Sequence, residues 1–367
     1  MQVTQNLNPH GIYCNRTDRT CHEPGPFFPT PPARSVGAVP ETLTSWLLAS
    51  DPALKWQVER DMAHEPPDVW EATRERVATE GFGARLLALQ DPDGQWAGGA
   101  FFPAHFDFAG PEAADGAGQP WTATTWTLTT LRTWGLPASA LTGTAQKLAA
   151  SSHWEYDPTL PYWGGEVDAC INAATLANGA WLGADVSGLA QWFVDHQMAE
   201  GGWNCEWVNG SVRSSFNSTL NSLQAILSYE KAGGDGTAGT DALRAARKAG
   251  EEYLLTRGAL RRKTTGELVQ PWFGVLAYPF RWHYTALRAL DYFREAALHD
   301  GAAPDPRLAE AVGMVRYKRR EDGTWLQEHR FPGRVWFDVD VPPGERSKWL
   351  TFHAHRALDW WDSAESP

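Results

Sequence analysis

The sequence predicts an all-α protein, an (α/α)6 toroid of six helical hairpins, and three observations predict it. First, segments that are apolar or small on most faces alternate with amphipathic, charge-bearing segments from residue 41 onward. A helix that is apolar on most faces is buried on most faces, so the first set forms an inner layer and the second an outer one. Second, the apolar segments start near residues 52, 121, 167, 215, 281 and 348, intervals that each hold two helices and a loop. Third, the joints between the two kinds of segment carry a repeated motif. Six hairpins whose inner members must all be covered close most simply into two concentric rings.

Taken in order, residues 1–40 carry breakers such as Pro24-Gly25-Pro26 and Pro31-Pro32 and read as a flexible N-terminal extension. Cys14 and Cys21 lie there in a spacing that matches no standard zinc pattern. The toroid domain is placed at 41–363. Its inner helices are predicted over 52–62, 121–134, 167–182, 215–230, 281–294 and 348–361, and its outer helices over 67–90, 138–151, 186–197, 241–257 and 305–319. Gln90 to Trp96 and Gln197 to Trp203 both spell QxxxGxW, and Arg319 to Trp325 repeats the motif without the Gln. The spacing has a physical reading: the Gln caps a helix end, the Gly turns the chain, and the Trp lays its ring over the joint.

These joints, with the alternation of helices, resemble the terpenoid cyclase and protein prenyltransferase toroid superfamily over residues 41–363. Gly164 to Cys170 also resembles the stretch that opens an inner helix in prenyltransferase β subunits. The resemblance implies the toroid and an isoprenoid-like substrate in its centre. Function still has to come from the site.

Composition narrows the partners. A formal charge of −12 argues against nucleic acid, whose affinity comes from neutralising phosphates. No apolar run reaches the roughly 18 residues that span a bilayer, no signal-like block opens the chain, and four cysteines are too few for a disulfide scaffold. The expectation is a soluble, cytoplasmic protein. The 20 Trp residues exceed what three joints need. The rest mark an aromatic cavity that would stabilise a carbocation or stack on sugar rings.

Asp168 is the leading catalytic candidate, an acidic residue opening a helix that is otherwise small and apolar. Burial would raise its pKa and the helix end would lower it, and an N-cap role is the bland alternative. His283 or Glu166 is its partner in proton transfer. Trp163, Trp207, Phe280, Trp282, Tyr284 and Trp336 form the walls, with Asn172 and Asp338 as polar substrate contacts. No DxDD or DDxxD occurs, Asp338-Val339-Asp340 being half of the former. The leading function is therefore terpenoid-cyclase-like acid–base chemistry on a hydrophobic substrate, namely cyclisation, isomerisation or dehydration without a cofactor. Three alternatives stay open. A zinc prenyltransferase would use Asp168, Cys170 and His283. A carbohydrate-active barrel would draw a carboxylate pair from Asp157, Glu166, Asp168 and Glu206. A binding protein would have kept the toroid alone.

Overall fold

A computed structural model describes residues 41–155, 157–233 and 238–365 of the chain. The extension read into residues 1–40, with Cys14 and Cys21, lies outside the described residues. The fold is all-α. In chain order the helices are α1 (Glu41–Leu48), α2 (Pro52–Asp61), α3 (Pro67–Glu75), α4 (Gly81–Leu87), α5 (Thr124–Thr133), α6 (Thr144–Ser151), α7 (Ala169–Leu182), α8 (Ser187–Asp195), α9 (Phe216–Lys231), α10 (Ala238–Leu255), α11 (Ala286–Asp300), α12 (Ala309–Tyr317) and α13 (Lys348–Glu365). Two short antiparallel ladders join them, His153–Trp154 with Asp157–Pro161 and Trp325–Leu326 with Arg346–Ser347. Among the described residues no helix is long and apolar enough to cross a membrane.

Local chemistry sets the boundaries. Asp51 caps α2 by accepting from Ala53 N at 2.9 Å and also accepts from Phe82 N at 2.8 Å, pinning the start of α4 beside it. The predicted helix over 67–90 divides into α3, a 3-10 turn and α4. At the break Gly81 has φ +61, and a Cβ there would lie 1.9 Å from Asp51 Oδ2, so only glycine fits. The predicted helix from 281 begins at Ala286 instead. Arg281 holds a left-handed φ of +53, and Thr285 supplies the cap by accepting from Arg288 N at 3.2 Å. In α5 the β-branched Thr129 and Thr130 fit a helix because each hydroxyl donates to the carbonyl four residues back, at 2.8 Å.

The three joints share one set of hydrogen bonds. The indole Nε1 of Trp96, Trp203 and Trp325 donates to Leu86 O, Phe193 O and Val315 O, ten residues back in each case, at 2.7–2.9 Å. The backbone N–H of the same three donates to Thr124, Thr219 and Thr351 Oγ1 on the following helix, at 3.0–3.1 Å. Gln90 and Gln197 donate to Gly94 O and Gly201 O, closing the turns, and reach across to Thr144 and Ala246. The three indoles are fully buried.

The apolar helices pack in succession, α5 on α7, α7 on α9, α9 on α11 and α11 on α13, and α13 returns to α2. Trp56 Nε1 on α2 donates to Trp134 O just after α5, at 2.8 Å. The amphipathic helices flank them, α6 and α8 against α7, α10 against α9, and α12 against α11 and α13.

Candidate active site: a cationic, aromatic cavity

All six helices of the apolar set contribute one face to a single cavity of about 510 Å³. The lining residues recur at helical spacing, as in Cys170, Ala173, Ala174 and Ala177 on α7, Arg288, Asp291, Tyr292 and Glu295 on α11, and Trp349, His353 and Arg356 on α13. The segment 278–282 adds Tyr278, Phe280, Arg281 and Trp282. Toward the start of these helices the lining is buried, at Trp126, Cys170, Asn221, Arg288 and Trp349; toward their ends Thr133 and Lys231 are exposed. The cavity therefore has a closed floor and an open rim. Its volume suits a small molecule.

The cavity is not greasy. In a chain of charge −12, seven cationic side chains line it against two carboxylates, Asp291 and Glu295. Some of the cations are neutralised in place. Arg356 forks onto Asp291 with two bonds of 2.6 Å and lies 3.3 Å from Asp61, while Arg60 pairs with Asp61 and Lys231 with Glu295. Burial works against the Asp291 carboxylate, but the Arg356 guanidinium holds it well below the ordinary range. Four arginines differ. Among the described residues Arg74, Arg132, Arg281 and Arg288 have no carboxylate within 4.0 Å, and Arg74 donates to Gly135 O at 2.8 Å. Arg288 donates to His283 O, Asn221 Oδ1 and Gln224 Oε1, and Arg132 to Asn178 Oδ1 and Ser228 Oγ, all neutral acceptors. Arg281 sits 4.8 Å from the Trp121 ring centre. Burial pulls Arg132, Arg281 and Arg288 down to about 10, so these three stay charged at neutral pH.

His353 Nδ1 lies 3.1 Å from Arg356 Nη2 and 3.3 Å from Asp291 Oδ2. A guanidinium only donates, so with Arg356 as partner Nδ1 accepts and the ring carries its proton on Nε2. Burial first, then Arg356, keeps this imidazole below its ordinary pKa.

Of the residues singled out from sequence, Phe280, Trp282 and Cys170 line the cavity. The others lie outside its lining. Trp163 donates to Ala145 O and Tyr284 to Ala259 O, so both are structural anchors. Trp207 donates to Val167 O and packs on Trp192 and His196, and Trp336 donates to Thr127 Oγ1. Asp338 pairs at the surface with Arg330. Asn172 ties down the turn before α7, accepting from Glu166 N and donating to Glu166 O, both at 2.7 Å. The Glu166 carboxylate in turn accepts from Val167 N and Asp168 N. His283 is stacked between Trp282 and Phe331, ring centres 3.9 and 3.7 Å away. Burial, then Arg288, His329 and Arg281, push it down to about 3, a neutral imidazole rather than an acid.

Asp168 is buried at the N-cap position of α7, yet its side chain makes no capping bond. Burial, then Cys205, Glu166 and Glu206, push its carboxyl up to about 9. A carboxyl that is neutral in the fold and ionised in the unfolded chain lowers stability as pH rises from about 4 toward 9, because the folded state binds the extra proton. Asp168→Asn is therefore expected to flatten the pH dependence of urea unfolding and to be at least as stable as wild type at pH 8. A steeper decline in the variant would contradict this.

The zinc set Asp168, Cys170 and His283 does not fit a metal. Cys170 Sγ lies 3.6 Å from Ser218 Oγ and accepts from Asn221 Nδ2 at 3.5 Å, and the three side chains do not converge. Glu230, His299 and Asp300 do converge among the described residues, but the buried Arg247 guanidinium already bridges Glu230 and Asp300 at 3.0 and 2.7 Å. In the carboxylate set, Asp157 is tied to Thr159, whereas Glu166 and Glu206 stand near Asp168.

Sequence reasoning missed Arg132, Arg288, Asp291, His353 and Arg356. The available signal was charge at helical spacing within segments otherwise apolar all round, since buried charges are rare unless they have work to do. No protein-family model, curated protein or solved structure matches the chain.

Proposed function

We propose that α2, α5, α7, α9, α11 and α13 are the inner ring of an (α/α)6 toroid, and that the chain is a terpenoid-cyclase-like enzyme acting in that ring. Its substrate would carry an isoprenoid-like body and an anionic head. The observation that supports this is the coexistence, in one cavity, of guanidiniums lacking carboxylate partners and rings such as Trp56, Trp126, Phe280, Trp282 and Trp349. A buried cation without a counter-ion costs several kcal/mol, and an anionic head at Arg281 and Arg288 would relieve that cost. The same two groups would stabilise negative charge on a departing head, with the C–O electron pair leaving on oxygen. The cationic carbon left behind would face the rings. Proton transfers that complete cyclisation or isomerisation would fall to His353, which lines the cavity, rather than to Asp168, which does not.

Thermal shift tests the reading. Farnesyl diphosphate is expected to raise the melting point, by the equivalent of about 2.7 kcal/mol at a hundredfold excess over Kd, with farnesol giving a much smaller shift. Arg288→Met should abolish the diphosphate response. Equal shifts from alcohol and diphosphate would overturn the anionic head. A second reading, an acidic sugar, draws on the same juxtaposition of Trp faces and guanidiniums; stabilisation by oligouronates but not by farnesyl diphosphate would select it.

A further inference from the structure

The four arginines without carboxylate partners are not in one place, and Arg74, bonded to Gly135 O just past the end of α5, belongs to the rim. Arg288, in the first turn of α11, bonds His283 O on the closed-floor side and reaches Asn221 and Gln224 in the first half and at the middle of α9. Arg132 bonds Ser228 on the same helix and Asn178 of α7, near the rim where Thr133 and Lys231 are exposed. From 221 or 224 to 228 is one to two turns of α9, roughly 6–10 Å along its axis. Over the same interval α7 presents Ala173, Ala174 and Ala177, small and apolar, and the Arg356–Asp291 pair elsewhere in the lining is already neutralised. Two cationic stations therefore bracket an uncharged middle.

We infer that the cavity is built for an elongated dianion, with one anionic group at Arg288 and Arg281 on the floor and a second at Arg132 near the rim, separated by a short apolar spacer. A single-headed ligand would satisfy the floor and leave Arg132 bonded only to an amide and a hydroxyl. Arg132 commits Nε and Nη1 to those neutral acceptors, and Nη2 has no partner among the described residues, which leaves donors for one end of a carboxylate or phosphate. The open rim beside it gives the second group a path in. This inference rests on the anion-binding reading above and extends it from one head to two.

Matched pairs of monoanions and dianions test it in the full-length chain: hexanoate with adipate, octanoate with suberate, and decanoate with sebacate, titrated calorimetrically at constant ionic strength. One dianion length is expected to bind at least tenfold more tightly than its monoanion partner, with shorter and longer dianions falling away on either side. Arg132→Gln, which keeps hydrogen-bond donors but removes the charge, should erase that advantage, whereas Arg288→Gln should weaken monoanion and dianion together. The chain-length series on the wild-type protein stands by itself should Arg132→Gln fail to fold. If the monoanions and farnesyl diphosphate bind while no dianion gains over its partner, the two-headed ligand is wrong and the single anionic head stands. If none of the anions binds, both readings fall.

Discussion

Asp291→Ala is expected to lower unfolding stability by about 3–5 kcal/mol, as removal of one partner from a buried ion pair does. Arg356 is 5% exposed and loses a two-pronged partner at 2.6 Å, keeping only Asp61 at 3.3 Å and the contact with His353. Its charge cannot be shed, because guanidinium stays protonated at any pH where the protein is folded. Arg60 and Arg294 also look toward Asp61, so a single carboxylate would face three guanidiniums. The effect should depend on pH with a definite sign. Asp291 is held below the ordinary carboxylate range in the fold, so its contribution is present above the unfolded value near 4 and is lost as pH falls through the lower folded value. Urea titrations at pH 7 should therefore separate wild type from variant widely, and the gap should narrow in acid. A difference below about 1 kcal/mol at pH 7 would show that Arg356 finds another counter-charge.

Trp203→Ala should cost about 3–5 kcal/mol, the range for removing a large buried aromatic side chain. The indole has no exposed surface and packs edge-on against Phe193 with ring centres 6.0 Å apart. Its Nε1 also closes Phe193 O at the end of α8, so truncation opens a void and leaves a buried carbonyl without that donor. Trp282→Ala is the control: that ring is only half-buried and borders the cavity, and its loss should cost under about 1 kcal/mol while weakening ligand binding. Equal losses in the two variants, read from chemical denaturation, would mean that joint and wall are not distinct roles for tryptophan here.

The helices were legible because burial writes itself into composition. The segments with few charges are those that border the cavity, and the QxxxGxW spacing marks the joints that the indole hydrogen bonds close. Boundaries drifted where backbone geometry decides, as at Arg281, whose left-handed φ delays α11 to Ala286. The two-residue ladder pairing Trp325 with Ser347 left no local trace, because it depends on a partner that lies far along the chain. The candidate site was read least well. Aromatic loops and Asp168 stand out in the sequence, whereas Arg288, Asp291 and Arg356 are single charges within helices that are apolar on average. A single charge in such a helix hardly moves its mean, yet it is the residue that must face the hollow. Phe280 and Trp282, expected among the walls, do border the cavity, and Cys170, read from sequence only as a zinc ligand in one alternative, borders it too. Trp163 and Tyr284 looked the same in sequence, and only their hydrogen bonds to Ala145 and Ala259 reveal them as anchors.

The threonine clasped by each joint tryptophan lies 28, 16 or 26 residues further along the chain, though the bond made is the same. The fastening is thus indifferent to how much polypeptide is looped between its two halves. Lengthening such a loop adds only a slowly growing entropic penalty, about 0.6 kcal/mol per doubling. New sequence can accordingly be spliced between tryptophan and threonine above an unchanged frame, so these stretches are where the chain can lengthen without loosening the packed helices.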